Sequence, residues 1–142
     1  MSAPSAAQAA WVVDASVAAK WFLPVEREPQ GELARELVGR LAMRTTTLAF
    51  YEVGNVLSTY SGGWSEEQIG KALSLLLEIC GDPLELAPAD HRATAELALA
   101  HGLSFYDASY VAIANRMGRR VLSADGDLLD PGLAVNLETA LS

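Results

Sequence analysis

A single cysteine, Cys80, in 142 residues excludes an internal disulfide and any cysteine-built zinc cluster. It favours a reducing, cytoplasmic home. Histidine is almost as scarce: His91 and His101 have no partner at metal-ligand spacing and are expected on wet helix surfaces. No long apolar run exists. The stretch from Leu73 to Leu77 is cut by Glu78, far short of the ~20 residues a membrane-spanning helix needs. Met1 to Ala10 is small and polar, without the basic start and apolar core of a signal peptide, and is expected to be a flexible tail ahead of one domain over residues 11–142. A glycine-rich phosphate loop, a G-x-S-x-G elbow and a Cys–His pair are all missing. Basic residues are few as well, 10 against 18 acidic ones, and the net charge of −8 counts against nucleic acid as a partner.

What is present is the composition of one soluble globular domain, 51% hydrophobic and 20% charged. Trp11 to Val13 is a short apolar run suited to a central strand. A helix is expected from Ala15 to about Leu23, stopped by Pro24, and a second over Gln30 to Ala42. The β-branched run Thr45 to Leu48 predicts a strand, followed by a helix from Ala49 to Tyr60 that Gly62 and Gly63 break. Ser65 to Gln68 is a capping-box start for a helix reaching Ile79. Beyond the Asp82-Pro83 turn, a strand is predicted over Leu84 to Leu86 and a helix from Pro88 to His101. A further helix spans Ser104 to Met117 and closes at Gly118. Arg120 to Leu122 and Ala134 to Leu137 supply the last strands. Short strands alternating with helices, without hairpin signals, imply a parallel sheet covered by helices on both faces.

Against that apolar background four carboxylates stand out: Asp14, Glu52, Asp107 and Asp125. Removing a lone charge from water is costly, so acids in apolar settings call for partners. Each also has a bland reading. Asp14 can cap the helix at Ala15, and Ser16 can be an ordinary first-turn serine. Glu52 and Asn55 share a helix face that solvent could cover, or Asn55 could orient the carboxylate. Asp107 fits a capping box with Ser104. Asp125 can be a turn acid, with Asp127 and Asp130 as spare carboxylates in the same loop. Asp14 and Asp125 both fall at strand ends, where parallel folds bind ligands.

In combination these segments resemble the PIN-domain nucleases, and most closely the VapC-type toxins of bacterial toxin–antitoxin pairs. The matching runs are Val12 to Val17, Glu52 to Leu57, Ser104 to Ala112 and Leu122 to Asp125. The resemblance spans Trp11 to about Leu137. It implies a compact α/β/α sandwich with a short central parallel sheet and a Mg²⁺- or Mn²⁺-dependent endoribonuclease activity. An antitoxin that blocks the site and a homodimer are also implied. Ser123 stands where threonine is frequent, which keeps the hydroxyl, and the N-terminal tail is longer than usual.

The residues fit that chemistry. At an effective dielectric near 20, two carboxylates ~5 Å apart repel by about 3 kcal/mol, so a gathered set of four calls for cations. Hard oxygen donors favour Mg²⁺ or Mn²⁺ over zinc. Asp14, Glu52, Asp107 and Asp125 are the expected direct or water-mediated ligands and catalytic residues, with Ser16, Asn55, Ser123 and Asp127 in support. Two divalent cations add four positive charges to −8, leaving −4. Arg116, Arg119 and Arg120 could add local basicity or simply sit well at a helix C-terminus, with Lys20 and Arg92 elsewhere. Water as the attacking group predicts 5′-phosphate and 3′-hydroxyl ends. A haloacid-dehalogenase-like phosphatase needs a second Asp two residues after Asp14, where Ser16 stands. A response-regulator receiver needs an early acidic pair and a phosphorylated Asp after a later strand, and this sequence shows neither. A non-catalytic interaction module of the same fold is the other reading.

Overall fold

The computed structural model describes residues 11–142; the tail expected over residues 1–10 lies outside them. Four short parallel strands form the sheet: β1 (Trp11–Val13), β2 (Met43–Arg44), β3 (Arg120–Leu122) and β4 (Ala134–Val135). Their spatial order is β2-β1-β3-β4, with Val12 opposite Val121 and Val13 opposite Leu122. Alternate residues of a strand face opposite ways, and the core divides accordingly. Val13 and Leu122 pack on one face with the helices α1 (Ala15–Ala18), α2 (Gly31–Leu37), α3 (Thr47–Thr59), α4 (Glu66–Cys80) and α8 (Leu137–Leu141). Val12 and Val121 pack on the other with α6 (Phe105–Arg116), α7 (Gly126–Leu129) and, at its margin, α5 (Asp90–His101). The expected α/β/α sandwich with a short parallel sheet is what the chain forms.

Local signals decide several boundaries. Ser65 and Gln68 complete a reciprocal capping box at the start of α4. Gly102 ends α5 in the left-handed conformation. Other elements depart from the sequence reading. The helix expected over residues 30–42 stops at Leu37, because Val38 turns extended and Gly39 takes φ +87, reversing the chain toward β2. The strand expected at residues 45–48 forms two residues earlier. Thr45 is fully buried and its hydroxyl donates to Val13 O at 2.6 Å, while Thr46 becomes the turn into α3. Leu84 makes one bridge to Thr46 and no strand. After β4, Asn136 Oδ1 accepts from the Thr139 N–H at 2.8 Å and starts α8, so the strand expected to reach Leu137 ends at Val135. The first helix tightens to 3₁₀ geometry over residues 19–21. Helix α7 was not anticipated.

Candidate metal-binding active site

From β1 the chain crosses to β2 on one side, and β3 lies on the other, so a crevice opens between the carboxyl ends of β1 and β3. Asp14 follows β1 directly, and Asp125 stands three residues past β3. The N-terminal turn of α6 brings Asp107, and α3 brings Glu52. All four line one cleft of about 460 Å³, together with Ser16, Asn55, Tyr110 and Lys20. The cleft thus gathers these residues from four separate parts of the chain.

Asp14 is the buried member, 4% exposed. It does serve as a cap, accepting from the Val17 N–H at 3.3 Å, yet that is a minor part of its role. Ser16 Oγ donates to Asp14 Oδ1 at 2.5 Å and Ser123 Oγ donates to Asp14 Oδ2 at 2.6 Å. The same two hydroxyls accept from the backbone beyond β3: Ser16 from the Ala124 N–H at 2.9 Å, Ser123 from the Asp125 N–H at 3.0 Å. Ser16 and Ser123 therefore tie the end of β1 to the loop that carries Asp125. Burial pushes the Asp14 carboxyl up from an ordinary 3.8 to about 6, against the pull of its hydroxyl donors.

Glu52 is half-buried and accepts a hydrogen bond from the Tyr110 hydroxyl at 2.7 Å. Desolvation raises its pKa, the Tyr110 bond opposes that, and the charges of Asp107 and Asp125 add to the rise. Tyr110 is buried on α6 one turn beyond Asp107. In the sequence Tyr110 lies inside the run from Ser104 to Ala112, and its i+3 spacing from Asp107 is the signal that puts both on one helix face. It takes the orienting position that had been expected of Asn55, whose exposed side chain lines the cleft instead. Asp107 is raised by desolvation and next by Asp125. Ser104 caps α6 through the Asp107 N–H at 3.0 Å, so the cap and the cleft position coexist in one residue.

Asp125 caps α7, accepting from the Asp127 N–H at 2.9 Å. That turn brings a fifth acid into play. Asp107, Asp125 and Asp127 each present a ligand oxygen within 4.8 Å of the others. Asp127, expected only in support, belongs to the tightest carboxylate group among the described residues, while Asp130 sits at the far end of α7. Oxygen-only donors this close, with charge repulsion already raising Asp107, suit a hard divalent cation. The residues present fit Mg²⁺ or Mn²⁺.

The arginines do not reach this cleft. Arg116 lies nine residues beyond Asp107 on α6, about 14 Å along the axis. There it clamps Asp90, with Nε 2.8 Å from Oδ1 and 3.0 Å from Oδ2, and donates to Glu85 O. Arg120 opens β3, at the end of the sheet opposite the crevice. Arg92 pairs with Glu96 on α5. The local basicity that the arginine cluster could have added thus lies away from the cleft.

The family model for the PIN domain matches residues 11–132. Ribonuclease VapC3 of Pyrobaculum aerophilum is 36% identical over 122 residues, covering 84% of this chain and 92% of that protein. A crystal structure from the same organism superposes with a TM-score of 0.67 at 27% identity and covers 96% of each chain. A toxin–antitoxin complex from Klebsiella pneumoniae has a chain of the same fold, with a TM-score of 0.69 at 13% identity over 89% of this chain and 96% of that one. Among the described residues no helix is long and apolar enough to cross a membrane. With a family model across most of its length and a VapC relative at this identity, the chain belongs to the PIN-domain family and is of the VapC type.

Proposed function

We propose that this protein is the ribonuclease toxin of a toxin–antitoxin pair, hydrolysing RNA phosphodiester bonds at the cleft between β1 and β3, with residues 11–142 as one catalytic unit. The observation that carries this reading is the convergence of Asp107, Asp125 and Asp127 within 4.8 Å, the first two of them in a cleft that Asp14 and Glu52 also line. VapC3 is named a ribonuclease, which supports the activity.

Asp107, Asp125 and Asp127 would hold a Mg²⁺ or Mn²⁺ ion, with Asp14 and Glu52 as direct or water-mediated ligands. When bound, such an ion supplies Lewis-acid stabilisation of phosphoryl oxygens and acidifies water. The side chains do the positioning. Ser16 and Ser123 hold both oxygens of Asp14 and fix the Asp125 loop against it. Tyr110 holds Glu52 by Oε1 and so orients its carboxylate in the cleft. The carboxylates alone repel a phosphate, so what the side chains supply is a ligand set held in place before the substrate arrives.

An amphipathic antitoxin helix is the proposed protein partner, the working form is a homodimer, and the setting is the cytoplasm. Incubating total RNA with wild type and Asp107→Asn in Mg²⁺, Mn²⁺ or EDTA, then sequencing new ends, tests the reading. Metal-dependent cuts with 5′-phosphate and 3′-hydroxyl ends, lost in the variant, are expected. Products ending in 2′,3′-cyclic phosphate would overturn the mechanism. No cutting by folded wild type would favour the interaction module.

A further inference from the structure

One cation lines the acidic cleft among the described residues, and it is Lys20. Its ammonium is held 2.9 Å from Glu28 Oε1 and 2.8 Å from Pro29 O, with the side chain 8% exposed. An ammonium has three N–H donors, and these two bonds leave the third uncommitted among the described residues. Glu28 lines the same cleft. An entering polyanion therefore meets the carboxylates of Asp14, Glu28, Glu52, Asp107 and Asp125 with a single basic side chain among them. A cation bound at the aspartates offsets their charge but leaves Glu28 untouched. Within the cleft the remaining attraction for backbone phosphate falls to Lys20, and Arg116 is committed to Asp90 at the far end of α6.

We infer that Lys20 is a subsite for an RNA backbone phosphate next to the scissile one, with Glu28 as the resident acceptor that this phosphate displaces. The inference rests on the ribonuclease reading and adds a substrate contact to it. Lys20 follows Asp14 by six residues of helical chain, about 9 Å along the axis, an offset that suits it to the phosphate next to the one being cut. A lysine makes a compact contact with three rotatable donors and suits a phosphate whose orientation changes with sequence. Phosphate oxygens compete with Glu28 for the same N–H groups, so the ion pair keeps the lysine in place while the cleft is empty and yields when RNA enters.

The test uses the full chain carrying Asp107→Asn, which leaves RNA uncut, and measures fluorescence anisotropy of a labelled single-stranded RNA in Mn²⁺ at increasing salt. Adding Lys20→Met should weaken binding about tenfold, the scale of a charge-assisted hydrogen bond. It should also flatten the slope of log K against log salt by about 0.7, one phosphate contact on a single strand. Lys20→Arg should restore that slope, and Glu28→Gln should tighten binding severalfold. On wild-type Asp107, Lys20→Met should raise KM with kcat little changed. A slope unchanged by Lys20→Met, or weaker binding from both Lys20→Met and Glu28→Gln with equal losses in Tm, would make the pair purely structural and overturn the inference. Should Lys20→Met fail to fold, Glu28→Gln alone decides: binding no tighter than the parent overturns it. Metal-dependent cutting by wild type reports separately on the ribonuclease reading, so either can fall alone; an Asp107→Asn parent that binds no RNA at any salt removes the inference as well.

Discussion

Ser123 Oγ donates to Asp14 Oδ2 at 2.6 Å, joining residues 109 apart in sequence and pinning the loop after β3 to the end of β1. The same hydroxyl accepts from the Asp125 N–H, so one buried serine positions two carboxylates. Ser123→Ala should cost about 1–3 kcal/mol, because the buried Asp14 oxygen loses a donor and the Asp125 N–H loses its acceptor. Ser123→Thr keeps the hydroxyl and should retain activity. Denaturation midpoints and RNA cleavage rates for the two variants check this; equal losses in both would point to packing instead of the hydroxyl.

Asp14 sets a pH dependence for the metal-free protein. Its carboxyl is pushed up from 3.8 to about 6 in the folded state, mainly by burial. A folded-state pKa above the unfolded one means that the native form binds the extra proton. Its stabilising contribution is complete below about pH 3.8 and is lost as pH rises through about 6. The loss from this residue is about 3 kcal/mol at neutral pH. Tm in EDTA should therefore fall between about pH 4 and pH 7, and Mn²⁺ should restore part of it at neutral pH. Asp14→Asn should flatten the EDTA profile; a wild-type Tm that climbs across this range would contradict the argument.

Tyr110 holds Glu52 through a 2.7 Å bond that opposes the rise in the Glu52 pKa. Tyr110→Phe keeps the ring in the core and removes the donor, so Glu52 should protonate at higher pH. The acid limb of kcat/KM is expected to move upward in pH, with a rate loss of about tenfold at neutral pH, from ~1.5 kcal/mol of lost hydrogen bonding. An unshifted limb would deny Tyr110 this role.

Asp127 and Asp130 are spare acids of one loop in the sequence, with Asp127 alone expected in support, and the fold places only Asp127 with Asp107 and Asp125. Asp127→Asn should weaken Mn²⁺ binding about tenfold, since cation affinity follows the charge of the ligand set. Asp130→Asn should leave it unchanged. Calorimetric titration of the two variants with Mn²⁺ distinguishes them.

Arg116 clamps Asp90, whose side chain is 3% exposed. Removing it strands a buried carboxylate. Arg116→Ala should cost about 2–3 kcal/mol, a buried-pair loss discounted because the arginine is one-third exposed. RNA affinity and its salt slope should stay as in wild type, because the pair lies at the other end of α6 from the acids. A reduced slope would return the arginine to the substrate surface.

Much of this was legible in residues 11–137. Trp11 to Val13 and Arg120 to Leu122 announced themselves as strands because continuous apolar runs fit a sheet buried on both faces. Ser65 with Gln68, and Gly102, marked helix ends through bonds made within a few residues. The four acids stood out because a carboxylate among apolar residues has few inexpensive explanations. Where competition was long-range, the sequence misled. The threonines at 45–47 have strand propensity, but Thr45 spends its hydroxyl on Val13 O and the turn into α3 takes the rest.

The sequence alone therefore determined the alternation of strands and helices, the caps and the acidic candidates, since periodicity and local hydrogen bonding act over a few residues. Tertiary structure decided which carboxylates share a cleft, that Tyr110 rather than Asn55 bonds to Glu52, and that Lys20, not the arginines, faces the acids. Those outcomes depend on how α1, α3, α6 and the loop after β3 meet at one end of the sheet. Separations across that end are set by packing, which a linear pattern does not encode.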